Sequence, residues 1–215
     1  MTHPAEDSLD SALEACLGHA RGDGILLGEM LDRLGSSSFC FAALLLAVPF
    51  VQPFSLGPLT MIGGLTFMAV GWQMGTGRAR PVLPAAATSL RIHGRGWCGV
   101  LSFCIRILAV CRKFTRPRLA GWVSGSRGDR FTGWLILAGG ALLAVPVANL
   151  PFNNTLPALM IVFACVGWLE RDGLMAVLSL AWGVATLLYF AAVAVALIFF
   201  GSRIWDWIDR AWPFR

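Results

Sequence analysis

The sequence predicts an all-α, polytopic membrane protein with two repeated, proline-broken helical hairpins and a C-terminal transmembrane helix. Charged residues make up only 13% of the chain, about half the share found in soluble domains. Lys, Arg, Asp and Glu are absent from residues 34–77, 131–169 and 173–202. Uncharged apolar segments longer than about 18 residues are typical of membrane-embedded chain. The second stretch also repeats the first, including its prolines.

The N-terminal segment, residues 1–34, is predicted to form amphipathic helices. Leu9, Leu13 and Leu17 recur every four residues, and a second apolar stripe follows before Leu34. The segment lacks the basic and apolar regions of a secretory signal. We therefore expect the first membrane segment to direct insertion, and the N-terminal helices to lie on the membrane domain or on a second subunit.

The first membrane repeat, residues 35–80, contains two apolar runs. They are separated by three prolines, Pro49, Pro53 and Pro58. Because proline lacks an amide donor and disfavours helix in the preceding residue, we expect the helix to break there. Gly71 and Gly75 have the GxxxG spacing that allows close helix contact. Arg33 and Arg78 flank the repeat, so both ends are expected on the cytoplasmic side, with the hairpin either fully spanning or re-entrant.

The linker, residues 81–129, is strongly basic. Eleven of the 17 basic residues lie in it or next to its two ends, against Asp129 as the single acid. Such a block beside apolar segments indicates attraction to anionic lipid on the cytoplasmic side rather than nucleic-acid binding. Trp97–Cys111 is interpreted as an interfacial helix with a basic face. The alternative is a short membrane span that carries Arg106.

The second membrane repeat, residues 130–173, copies the first. Ala144-Val145-Pro146 corresponds to Ala47-Val48-Pro49, and Pro157 corresponds to Pro58. In membrane transport folds, paired interrupted segments are the best sequence indication of a binding site. Duplication also supports simple packing symmetry, so transport does not follow from it alone.

The C-terminal segment, residues 174–215, contains one long apolar span followed by an amphipathic end that is rich in Trp. Trp at this position predicts an interfacial anchor. Six cysteines are scattered through the chain without a C-x-x-C pair. We interpret them as small apolar side chains rather than disulfides or metal ligands.

A set of short sequence pieces occurs in a characteristic order. They are Leu31–Gly35, Pro49 with Pro53, Gln73, Gly77-Arg78, Pro81–Pro84, Arg116–Leu119, Asn154–Ala158 and Glu170–Gly173. Their order and spacing resemble the ExoD (exopolysaccharide synthesis) family of bacterial integral membrane proteins. The resemblance implies an inner-membrane protein linked to exopolysaccharide production and to alkaline tolerance. It does not imply a particular reaction.

Uncharged amides near the breaks form the first group of candidate binding residues. They are Gln73, Asn149, Asn153 and Asn154, with Gln52 beside them. Buried amides need hydrogen-bond partners. These side chains therefore either satisfy backbone groups freed by the prolines or form a polar site for a substrate or ion between the repeats.

Charged residues form the second group of candidates. Glu170, Arg171 and Asp172 are either a surface turn, with Gly173 as the helix C-cap, or a proton- or cation-responsive group at a cavity mouth. Arg116 and Arg118 either contact the phosphate of a lipid or an anionic saccharide carrier, or are simply attracted to the cytoplasmic leaflet. That attraction alone accounts for arginines beside a membrane segment.

The preferred function is a transporter-like, non-enzymatic membrane component with a polar cavity between the two repeats. One alternative is a membrane enzyme that acts on a lipid-linked saccharide or phospholipid with Glu170 or Asp172 and the Arg116/Arg118 pair; another is a scaffold. We expect no catalytic residue, metal or cofactor from the motifs present. Expected partners are anionic lipids, polysaccharide-synthesis components and a second copy of the chain, with no nucleic acid.

Overall fold

The computed structural model describes residues 24–52, 56–78, 80–82, 91–94, 123–145 and 152–211, with a few isolated residues elsewhere. These ranges are helical apart from turns and one short antiparallel pair of two-residue strands. In that pair, β1 (Ile25–Leu26) lies beside β2 (Arg91–Ile92). The all-helical class expected from the sequence is confirmed.

Six α-helices have both ends in these ranges. They are α1 (Leu27–Leu34), α2 (Ser38–Ala47), α3 (Pro58–Gly75), α4 (Gly125–Leu143), α5 (Thr155–Leu169) and α6 (Gly173–Ala211). A 3-10 turn at Val48–Phe50 follows α2, so this helix ends at the first proline, as expected. Pro58 occupies the first turn of α3, where its missing amide proton costs nothing.

Helices α3 and α4 pack antiparallel with their backbones in contact. A Cβ atom added at Gly71 would lie 2.7 Å from the carbonyl oxygen of Gly133. One added at Gly64 would lie 2.6 Å from the amide nitrogen of Ala144, and one at Gly140 would lie 2.8 Å from the carbonyl oxygen of Gly64. Only glycine fits at such separations. The GxxxG spacing therefore does mark a helix interface, and the structure identifies α4 as the partner.

Helix α5 is the central helix and packs against α2, α4 and α6. Its Ile161 fills the space beside Gly139 of α4. On the other side, the hydroxyl of Ser179 in α6 donates to the carbonyl of Met160 at 2.8 Å. Almost every side chain of α5 is buried or half-buried.

The two predicted hairpins pack closely against each other. The second helix of the first hairpin, α3, packs on the first helix of the second, α4, while α2 packs on α5. One end of this bundle, the charged end, holds Asp129 close to Trp168 and the turn after α5. The opposite end, the prolyl end, holds the turn after α2 and the starts of α3 and α5. Both ends of each hairpin thus lie at the charged end.

Helix α6 runs without interruption from Gly173 to Ala211. The apolar span and the start of the amphipathic end that the sequence predicted thus belong to one continuous helix. Residues 173–199 are long and apolar enough to cross a membrane. Among the side chains described, Thr186 is the last buried one, and none is buried from Leu187 to Phe199.

Candidate functional site at the junction of the two hairpins

The two proline-containing breaks meet at the prolyl end. The hydroxyl of Thr155, the first residue of α5, donates to the backbone carbonyl of Gln52 at 2.9 Å, across 103 positions of sequence. Beside this contact, the ring of Phe50 packs edge-to-face on Phe67 of α3, with 6.0 Å between ring centroids. The first break is therefore attached both to its own hairpin and to the second one.

Buried polar side chains surround this junction. Asn153 and Asn154, directly before α5, are 6% and 1% exposed, and Thr60 in the first turn of α3 is 7% exposed. The Thr60 hydroxyl has no hydrogen-bond partner among the residues that the structure describes. A buried hydroxyl without a partner costs roughly 1–3 kcal/mol. Polar groups are thus held in the apolar bundle at the point where the hairpins meet.

Backbone strain is present at the same end. Phe152, next to the two asparagines, has φ of 64° and is exposed. A bulky residue in the left-handed region costs of order 1–3 kcal/mol, and such strain clusters at functional sites. This observation favours the second break as a functional segment.

Gln73 lies at the charged end, away from the asparagines. Its side-chain amide donates to the carbonyl of Val82 at 3.1 Å, and its amide oxygen accepts the Val82 N–H at 2.6 Å. The side chain therefore holds the start of the linker against α3. Since only the backbone of Val82 takes part, the identity of that side chain does not matter for the contact.

Asp172 is fully buried in the turn between α5 and α6. Its carboxylate accepts the backbone N–H of Leu174 at 2.9 Å, so Asp172 is the N-cap of α6. The expectation that Gly173 is the C-cap of α5 is wrong, because Gly173 is the first residue of α6. Instead Arg171 takes the left-handed position, with φ of 52°, and Asp172 N–H donates to the Gly167 carbonyl at 2.9 Å in a Schellman motif.

Asp129 and Trp168 join α4 to α5 at the charged end. The indole N–H of Trp168 donates to the Asp129 carboxylate at 2.7 Å. The sequence analysis predicted no contact for either residue. Nearby, Cys40 and Cys165 are buried as free thiols within hydrogen-bonding distance of one another.

The structure thus separates the candidate residues into two groups. Asn153 and Asn154 lie at the prolyl end, whereas Gln73 and the Glu170–Asp172 turn lie at the charged end. Asn149, Arg116 and Arg118 are outside the described residues, and their roles stay predictions. Sequence reasoning missed Thr60 and Thr155. A signal for both was present, because each threonine stands two residues from a proline at a helix start.

Comparison with known proteins agrees with the order of the motifs. The family model described as "Exopolysaccharide synthesis, ExoD" matches residues 9–192. The chain is 29% identical over 200 residues to Protein ExoD of Rhizobium meliloti (strain 1021), covering 93% of this chain and 83% of that relative. No solved structure matches the chain significantly. The predicted resemblance is confirmed, and the chain belongs to the ExoD family of exopolysaccharide synthesis.

Proposed function

We propose that this chain is an integral inner-membrane component of exopolysaccharide synthesis, export or envelope homeostasis, and that it acts as a transporter-like protein. Its site is the junction of the two hairpins. The hydrogen bond from Thr155 to the Gln52 carbonyl carries this proposal, because it joins the two breaks beside the buried Asn153 and Asn154.

The exposed apolar surface supports insertion in a lipid bilayer. Along α6, Leu188 and Ile198 are 66% and 71% exposed, and along α3, Ile62 and Leu65 are 60% and 52% exposed. Soluble monomers rarely expose contiguous apolar patches above a few hundred Å². Only 11% of the most apolar part of α6 is buried in the protein, unlike the core helix of a soluble domain.

Helix lengths favour re-entrant hairpins. With its 3-10 turn, α2 extends from Ser38 to Phe50, about 20 Å, and α5 with its 15 residues extends about 22 Å. Neither length crosses a hydrocarbon core of about 30 Å, whereas their hairpin partners α3 and α4, with 18 and 19 residues, nearly do. In α6, residues 187–199 continue about 20 Å beyond the last buried side chain. On this proposal the prolyl end lies inside the hydrocarbon region, where the polar junction needs a wet cavity.

Exposed arginines support a cytoplasmic location for the charged end. Arg78, Arg127, Arg130 and Arg171 are exposed there, and basic residues next to membrane segments favour the cytoplasmic side. Asp32 of α1 forms an ion pair with Arg80 at 3.1 Å. This contact holds the N-terminal helix at the same end, so the N-terminus and the basic linker share one side on this proposal.

The geometry favours transport over the enzymatic alternative. An enzyme acting on a lipid-linked saccharide or phospholipid would need an accessible carboxylate. Asp172 is buried and caps α6, which leaves the half-exposed Glu170 as the one carboxylate of this turn that such an enzyme could use. A scaffold would need only well-packed breaks. The polar side chains buried at the junction, Thr60, Asn153 and Asn154, are not needed for a purely structural break, because burying polar groups costs free energy.

Cysteine labelling tests the topology. In a variant without the six native cysteines, single cysteines at positions 33, 78, 116 and 130 should react with an impermeant maleimide from the cytoplasmic side only. Opposite sides for positions 78 and 116 would make Trp97–Cys111 a membrane span, and the repeats would then be inverted.

Proton flux tests the site. Proteoliposomes containing a pH-sensitive dye should show protein-dependent flux after a pH jump, and Asn154→Ala and Thr60→Ala should lower it about ten-fold or more. Thr132→Ala is the matched control, because Thr132 is also buried without a partner among the described residues but belongs to α4 near the charged end. Unchanged flux in both junction variants would remove their proposed role. Absence of flux in the wild-type protein would favour a scaffold.

A further inference from the structure

We propose that an anionic phospholipid of the leaflet at the charged end binds a defined surface of α3 and α4. This Arg–Trp surface consists of Arg127, Arg130, Trp134 and Trp72. It is distinct from the hairpin junction, and its occupant is a lipid with a phosphate headgroup and a net negative charge. The inference uses the membrane insertion proposed above but does not depend on transport.

The residues of the surface lie side by side. Arg127, Arg130 and Trp134 are spaced by three and four positions along α4, which places them on one helix face. Trp134 is 46% exposed and Trp72 of α3 is 55% exposed. Their rings meet edge-to-face with centroids 5.6 Å apart. Two cationic side chains thus stand directly beside a pair of exposed indoles, the side chains that favour the membrane–water interface.

Among the described residues, no acid neutralises these two arginines. Neither Arg127 nor Arg130 has an ion-pair partner among the described residues. The neighbouring acid, Asp129, accepts the hydrogen bond from Trp168 at 2.7 Å. Cationic side chains in the first turns of a helix are also unfavourable beside the positive end of its dipole. Helix stability therefore does not explain them, whereas a bound anion would.

An apolar track continues from the indoles along α3. Ile62, Leu65 and Trp72 lie on one exposed face of this helix. From position 62 to position 72 the helix rises about 15 Å, which is half of a hydrocarbon core of about 30 Å. The track therefore matches one acyl chain of a single leaflet. A lipid phosphate beside the arginines would neutralise their charge, and an acyl chain of the same lipid would cover the apolar track on α3.

Native mass spectrometry of the purified full-length protein tests the proposal. The protein is released from neutral-detergent micelles that contain equal amounts of palmitoyl-oleoyl phosphatidylglycerol and phosphatidylcholine. We expect the wild type to retain phosphatidylglycerol about ten-fold or more over phosphatidylcholine. The double variant R127Q/R130Q should retain the two lipids within about two-fold of each other.

A charge-matched double variant separates a site from general attraction. R78Q/R171Q removes the same charge from two other exposed arginines of the charged end, both outside the basic linker, and should keep most of the wild-type preference. Trp134→Leu should lower retention of both lipids while far-UV circular dichroism stays unchanged. Equal losses in both double variants would overturn the site in favour of a diffuse potential, and so would an unchanged preference in R127Q/R130Q. Retention of neither lipid by the wild type would instead count against membrane insertion.

Discussion

Replacing Gly71 by alanine tests whether α3 and α4 are held by backbone contact. The new Cβ would lie 2.7 Å from the Gly133 carbonyl oxygen and 2.9 Å from the Leu137 Cα. The Leu137 amide nitrogen would lie closer still, and ordinary contacts are 3.4–4 Å, so the helices must separate by about 1 Å, a gap that forfeits a quarter to a half of each dispersion contact it opens. All three atoms belong to the backbone of α4 and cannot rotate away.

Gly75→Ala is the matched control, four residues further along the same helix. A Cβ there would lie 3.5 Å from the ring of Trp134, an ordinary contact. Gly71 lies inside α3, where alanine gains about 1 kcal/mol of helix propensity, whereas Gly75 ends the helix and gains less, so the propensity term works against the expected difference. Overpacking typically costs 1–3 kcal/mol. We expect Gly71→Ala to be about 2 kcal/mol less stable than Gly75→Ala, roughly a 30-fold change in the unfolding equilibrium.

The measurement is unfolding of the purified protein in mixed micelles with rising dodecyl sulfate content. Far-UV circular dichroism should report the transition, since Trp134 stands beside Gly75 and would perturb a fluorescence signal. Gly71→Ala should unfold at a clearly lower detergent fraction than Gly75→Ala. If the two variants unfold together, the close approach of α3 and α4 is refuted.

Three further substitutions probe the charged end by the same unfolding measurement. Asp172→Ala should destabilise the protein by about 1 kcal/mol, because the cap of α6 is lost, and Asp172→Ser should recover most of it; equal losses would argue against capping. Arg171→Gly should stabilise it by about 1 kcal/mol, since φ of 52° favours glycine; a loss would show that the arginine side chain contributes. A double-mutant cycle on Arg80 and Asp32 should give a coupling below about 0.5 kcal/mol, because the side chains are 65% and 71% exposed. A larger value would mean a better-shielded pair.

Part of the candidate site could be predicted from the sequence. The prolines show where α2 ends and α3 begins, and Asn153 and Asn154 do lie buried at the second break. The spacing of Gln73 and Asn154 in the sequence could not show whether the two side chains lie close together, because the sequence identified each of them only as a polar residue near a hairpin. Their positions at opposite ends of the bundle follow from helix direction. Helices α3 and α5 both start at the prolyl end; Gln73 lies near the end of α3, whereas Asn154 directly precedes α5.

The sequence prediction for the turn between α5 and α6 was wrong. In Glu170–Gly173 the glycine was the expected residue for the left-handed backbone conformation, since glycine adopts it without a steric clash. The chain instead places Arg171 in that conformation and uses Asp172 to cap α6. With this turn, α6 packs back on α5, where the Ser179 hydroxyl donates to the carbonyl of Met160.

The sequence by itself determined the helical class, the family, the two proline breaks and the long apolar C-terminal helix. Each of these follows from local composition and order. Only the tertiary structure decided which helices pair, that Gly71 faces α4, and that Thr155 joins the second hairpin to the first break. Those contacts link residues far apart in the chain, and the pattern of apolar residues is nearly uniform around α2, α3 and α5. A uniformly apolar helix has no preferred face in its sequence, so glycine contacts and buried hydrogen bonds must select the partner.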